Sequence, residues 1–145
     1  MAHRGEERVL YSNPDEHGQV RYWYANTIWR AATGAPTIRM ALDSIELLDE
    51  VVWFGGPKNR QPTIRNVAKH AHDIVNADMS HPIIVVRGGE IIDGAHRIAR
   101  AYIEGRESIE AVVIDEYPAP DGVLAEGEVA PHRHPTTGEA SDDPS

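Results

Sequence analysis

The sequence contains no cysteine, a single phenylalanine, and only 14 lysines and arginines against 23 aspartates and glutamates. The missing thiols exclude disulfides, thiolate zinc sites and cysteine nucleophiles together. The shortage of basic residues leaves a formal net charge of -9 at pH 7. Duplex binding rests on neutralising phosphates with a clustered basic face, so nucleic acid is an unfavoured partner. Residues 121–145 hold six of the acids against Arg133 alone, a net of -5, which leaves -4 for the rest of the chain. No apolar run approaches the roughly 18 to 20 residues of a membrane span. The start Met-Ala-His-Arg-Gly-Glu-Glu-Arg has no apolar signal core behind it, so no membrane partner is expected and a cytoplasmic location is. Walker-type phosphate loops, Gly-x-Ser-x-Gly elbows and internal repeats are also absent.

What is present is concentrated between residues 81 and 105. Ile83, Ile84, Val85 and Val86 are apolar and β-branched, which suits a buried strand, and Gly88-Gly89 supplies a tight reversal into a short strand over residues 90–92. After Gly94 the period changes. Ala95, Ile98, Ala99, Tyr102 and Ile103 fall at i, i+3, i+4, i+7 and i+8, one face of an amphipathic helix, and Gly105 stands where a helix-ending glycine is expected. The run Asp93-Gly94-Ala95-His96-Arg97 therefore lies where a strand delivers the chain into the first turn of a helix.

That position favours anions. The first turn of a helix presents unpaired N–H groups and the positive end of the macrodipole, so a phosphate is stabilised there by backbone alone. Arg97 adds a bidentate fork, His96 adds ring N–H donors, and Gly94 lets a ligand approach the backbone. Asp93 does not fit a pure anion site. Its carboxylate must cap the helix, hold a cation that bridges to the phosphate, or act as a base.

A strand, a turn, then Asp-Gly-x-His-Arg-x-x-Ala opening a helix resembles the ParB/sulfiredoxin superfamily, shared by ParB amino-terminal domains, sulfiredoxins and small free-serine kinases. The likeness covers roughly residues 38–114. It implies a single compact α/β domain of the α+β kind, a small mixed sheet with flanking helices, and a nucleotide, ATP or another, whose phosphates lie on the turn at Gly94, Ala95, His96 and Arg97. The loop and helix start carrying Lys58, Arg60 and Thr63 would face that turn across the nucleotide. Sulfiredoxins carry their catalytic cysteine where Ala95 stands, and ParB proteins a magnesium-holding glutamate there, so neither chemistry transfers. ParB proteins also need a helix-turn-helix DNA-binding domain, for which this chain has no room.

The small-kinase branch is closest, which implies Mg2+-dependent phosphoryl transfer, or nucleotide hydrolysis, on a small molecule. Arg97 and His96 would then offset phosphate charge and Asp93 would bind Mg2+ or orient the acceptor. A carboxylate after the first strand, Asp49 or Glu50 with Glu46 nearby, would take the hydroxyl proton. Two other classes stand beside this one: a ParB-like nuclease or DNA-linked regulator, and a non-catalytic module that holds a small phosphorylated effector.

Around this core the chain divides into three. In residues 1–36 a short strand over residues 7–12 precedes turn signals at Asn13-Pro14-Asp15 and Gly18. Val20, Trp23, Tyr24, Thr27, Ile28 and Ala31 then follow helical spacing up to Gly34 and Pro36. This aromatic helix either covers the core or forms a homodimer face or a lid. The alternation of Ile38, Met40 and Leu42 predicts a strand over residues 37–44, and residues 55–62 have loop composition. Thr63 reads as the N-cap of a helix with the stripe Ile64, Val67, Ala68, Ala71 and Val75, ending at Asn76. His70 and His72, two apart, face different ways on it. A last strand spans residues 109–114. The core is thus residues 37–118, and residues 119–145, acidic and proline-rich, read as a disordered tail in which His132-Arg133-His134 would bind only stray nickel or zinc.

Overall fold

A computed structural model describes residues 8–56 and 58–133. The class is α+β: three helices and two small sheets, one of them mixed. The chain folds as two compact units. The first is assembled from the two ends of the chain and the second is the continuous stretch from Ala35 to Asp115.

In the first unit the strands β1 (Val9–Tyr11), β2 (Gln19–Tyr24) and β7 (Gly122–Ala125) form an antiparallel sheet with β2 in the centre. Residues 20–24, predicted as the start of a helix, are instead strand, and the helix α1 is confined to Ala25–Ala32. The helical spacing of Val20, Trp23 and Tyr24 is overridden by tertiary pairing. β2 is hydrogen-bonded along both edges, with Leu10↔Trp23 on one side and Val20↔Leu124 on the other. Its aromatic residues then alternate as a strand requires. Tyr22 and Tyr24, with ring centroids 5.6 Å apart and edge to face, pack with Ala130, Val9 and Leu124. Trp23 donates its Nε1–H to the Pro118 carbonyl at 2.9 Å and lies against Tyr117.

The predicted tail therefore contains structure over residues 119–133. β7 completes the sheet, and Ala130 is buried. Asp121 supplies what α1 lacks. Tyr24, the residue preceding the helix, cannot cap it by side chain. The Asp121 carboxylate accepts the Tyr24 backbone N–H at 2.8 Å and the Thr27 hydroxyl at 2.7 Å, placing a negative group at the positive end of the helix. Residues 134–145, with His134, lie outside the described residues.

The second unit is a four-stranded mixed sheet in the order β3–β6–β4–β5, from β3 (Thr37–Ala41), β4 (Ile83–Val86), β5 (Glu90–Asp93) and β6 (Ser108–Ile114). β6 pairs antiparallel with β3 and parallel with β4, and β4 pairs antiparallel with β5. After β3 the chain turns through short 3-10 segments at Leu42–Ser44 and Glu46–Asp49, so the strand predicted over residues 37–44 stops at Ala41. Helix α2 (Ile64–Val75) follows, then β4, β5 and helix α3 (Ala95–Ile103), which packs Ile98 and Ala101 onto Leu42, Ile45, Ile83, Val85, Ile109 and Ala111.

The two helices depart from their predicted faces. α3 turns Arg97, Ile98 and Ala101 inward and leaves Tyr102 and Ile103 exposed. On α2 the predicted stripe is the outer face, with Ile64, Val67 and Val75 exposed, and the half-buried positions are Asn66, His70 and Ile74. The reason is that two of these inward residues are polar with dedicated partners. Asn66 donates to the carbonyls of Asn59 and Gln61 at 3.1 and 2.8 Å, and His70 meets a second histidine on α3. Among the described residues, no helix is long and apolar enough to cross a membrane.

Replacing Asp121 by alanine is expected to remove the surrogate cap of α1 and to destabilise the first unit by about 1 kcal/mol, the usual value of an N-cap. Denaturant unfolding followed by tryptophan emission measures it, and a disordered tail would give no change.

Candidate functional site

β4 and β5 are joined through Gly88 and Gly89, both at φ 107°, a left-handed conformation that favours glycine. Further along the hairpin the register shifts between Ile84↔Asp93 and Val85↔Ile91, a bulge that places one extra residue on β5 just before its end. The chain then enters α3 through Gly94, at φ 126°. A Cβ at that position would stand 2.4 Å from Ile83 Cγ2. Gly94 is thus favoured by its backbone angle and by its contact with β4.

Gly94 is the N-cap residue and has no side chain with which to cap the helix. The Asp93 carboxylate faces Arg97 Nη2 at 3.2 Å, with both side chains more than nine-tenths buried. Arg97 also donates through Nη1 to the carbonyls of His81 and Pro82, at 3.1 and 2.8 Å, immediately before β4. The guanidinium of the predicted phosphate fork thus joins the end of β5 to the chain before β4. A Mg2+ at Asp93 would have to sit against the Arg97 cation that already neutralises it, which argues against that assignment. Among the described residues no buried side-chain N or O lacks a hydrogen-bond partner, so the clamp leaves none unsatisfied.

His96 lies on the outward side of the same turn, its side chain 33% exposed. Its Nε2 is 3.0 Å from Nδ1 of His70 on α2. The Trp53 ring stacks on both imidazoles, with centroids 4.8 Å from His70 at 15° and 4.6 Å from His96 at 10°, and Phe54 meets His70 edge to face. Asp73, one helical turn beyond His70, approaches His96 Nε2 to 4.0 Å. A hydrogen bond between two imidazoles needs a donor and an acceptor, so the pair cannot carry a proton on both facing nitrogens. Burial pushes the His70 pKa below its ordinary value, and the charges of Lys69 and Arg60 push the same way against Asp73.

Of the other predicted residues, Arg60 is thus within electrostatic reach of this pair. Thr63 caps α2, its Oγ1 accepting the Asn66 N–H at 3.1 Å. Lys58 is exposed in a 3-10 turn, Lys58–Arg60, anchored by hydrogen bonds from Gly55 N–H to the Arg60 carbonyl and from Gln61 N–H to the Lys58 carbonyl. Asp49 and Glu50 are exposed at the end of the 3-10 segment that packs on α3, and neither carboxylate is hydrogen-bonded or ion-paired to the turn. Ala95 contributes its backbone to the first turn of α3.

Asp73 and Trp53 are residues that sequence reasoning passed over, and His70 was weighed only beside His72 and set aside. The i, i+3 spacing of His70 and Asp73 on one helix face was a usable signal. The contact with His96 depends on how α2 packs on α3 and has no local signature. Comparison with protein-family models, with curated proteins and with solved structures finds no match to this chain.

Arg97→Ala should destabilise the second unit by about 3 to 5 kcal/mol, because it leaves the Asp93 carboxylate buried without its partner. Chemical denaturation checks this, and a loss under about 1 kcal/mol would mean that the pair is not buried in solution. His70 should titrate below the ordinary histidine value of 6.5. A depressed folded-state pKa contributes stability that is present above the unfolded value and is lost as pH falls through the folded one. Melting temperature should therefore drop more steeply below about pH 6.5 in the native sequence than in His70→Gln, and the His70 ring proton shifts in NMR give the midpoint directly.

Proposed function

We propose that the protein binds the phosphate group of a small ligand, a nucleotide being the first candidate, at the start of α3. The observation that carries this reading is an anion-favouring helix start whose N-cap is Gly94 and whose first turn holds no acid, the preceding Asp93 lying against Arg97. His96 projects from that turn and Arg60 lies within electrostatic reach of its partner His70. The Asp-Gly-x-His-Arg resemblance to nucleotide-binding members of the ParB/sulfiredoxin superfamily points the same way.

Two predicted roles change within the reading. Arg97 becomes the residue that holds the turn in shape, and Arg60, whose charge acts on His70, is the candidate for the cationic contact. Binding, rather than phosphoryl transfer, is the function the geometry supports, since Asp49 and Glu50 are exposed carboxylates that no described residue orients toward the turn.

Calorimetric titration of ATP, ADP and CTP, each with and without Mg2+, tests the reading. At least one should bind, with affinity reduced about tenfold by His96→Ala and by Arg60→Ala, the effect of one lost charge-assisted contact of roughly 1.4 kcal/mol. Binding unaltered in both variants, or no binding of any of the three, would overturn it.

A further inference from the structure

We propose that His70, Asp73 and His96 form a binding site for a first-row transition-metal dication such as Zn2+ or Co2+. Their candidate ligand atoms, two imidazole nitrogens and one carboxylate oxygen, all lie within 4.8 Å of one another. Two nitrogens bound to one tetrahedral Zn2+ at the usual distance of about 2.0–2.1 Å stand about 3.3 Å apart. The observed separation of His70 Nδ1 and His96 Nε2 is 3.0 Å. A small outward rotation of the rings opens the site. Asp73, with a side chain 57% exposed, has the freedom to close the remaining gap to the metal.

Three features separate this arrangement from a chance meeting of polar side chains. The two imidazoles are half-buried and nearly parallel to the Trp53 ring, which packs against each of them face to face. In this arrangement His70 Nδ1 meets His96 Nε2 at 3.0 Å, and an Asp73 carboxylate oxygen lies 4.0 Å from the same His96 nitrogen. The ligands also come from two helices, His70 and Asp73 one turn apart on α2 and His96 at the start of α3, so a bound ion would tie α2 to α3 beside the Arg100 hydrogen bond to the Val75 carbonyl. Nitrogen donors select zinc, cobalt, nickel or copper over magnesium, which demands oxygen ligands. With three protein ligands the ion keeps an open position for water or for an oxygen of a ligand. Lys69 and Arg60 lie within electrostatic reach of His70, so binding should be weaker than at a closed four-ligand structural site.

The inference goes beyond the phosphate reading and shares with it only His96. It is tested without nucleotide or phosphate, so either can fail alone. The full chain carrying His132→Ala and His134→Ala, which removes the adventitious tail site, is titrated with CoCl2 while visible ligand-field absorption and calorimetric heat are recorded. One equivalent should bind with the intense bands of four-coordinate cobalt. His96→Ala and Asp73→Asn should each weaken binding by about tenfold or more. Asp73 is exposed, so its variant folds, and in the native sequence the paramagnetic ion should shift the ring resonances of His70 and His96 directly. No binding, or binding unchanged in Asp73→Asn and without shifts at those two histidines, would overturn the proposal.

Discussion

The ion pair of Asp93 and Arg97 is the interaction on which the second unit depends. A single guanidinium joins three pieces of chain: the end of β5 through the carboxylate, the first turn of α3 through its own backbone, and the approach to β4 through the carbonyls of His81 and Pro82. A buried pair gains little over a well-packed apolar substitute, because desolvation offsets most of the Coulomb attraction. What it supplies is directionality. The fork geometry accepts only one placement of the β4 entry relative to the helix start, and Gly94 pressed on Ile83 makes that placement tight.

This clamp determines what the outer side of the turn presents. The carboxylate is drawn inward, the first turn of the helix holds no acid of its own, and His96 meets His70 on α2. Trp53 then lies across both rings, so the chain after the 3-10 segments is anchored to the helices by aromatic contact. The polar cluster and the hydrophobic core are thus two sides of one turn. Ile98 and Ala101 look to the sheet, and His96 looks to α2.

Where the sequence was legible, the signal was local and strong. The β-branched run of β4, the paired glycines, the switch of period after Gly94, the Thr63 cap and the strand ending at Ile114 all depend on residues close together in the chain. The misreadings share a different cause. β2 reads as helix because its aromatic spacing fits either period, and its identity as a strand is decided by partners at both ends of the chain. The acidic, proline-rich composition after Tyr117 conceals a four-residue strand and the single carboxylate that caps α1. On α2 the apolar stripe marks the outer face because Asn66 and His70 have specific polar partners inside. The motif singled out Asp93, His96 and Arg97, but a motif does not say which direction each side chain takes, and the burial of Arg97 against Asp93 and the carbonyls of His81 and Pro82 has no local signature.

The central position of β2 in its sheet also sets an order on folding. Its partner β1 precedes it closely, but β7 is separated from it by the whole of the second unit. The second unit, by contrast, is continuous, and its ends are brought together by the hydrogen bond from Val113 N–H to the Pro36 carbonyl at 2.9 Å. During synthesis from the amino terminus, the segment from Ala35 to Asp115 has all its strands in hand while the β1–β2 hairpin still exposes an unpaired edge and its tyrosines. Closing the first unit thus requires a pairing between β2 and β7 across the whole second unit, a non-local contact of the kind that forms slowly.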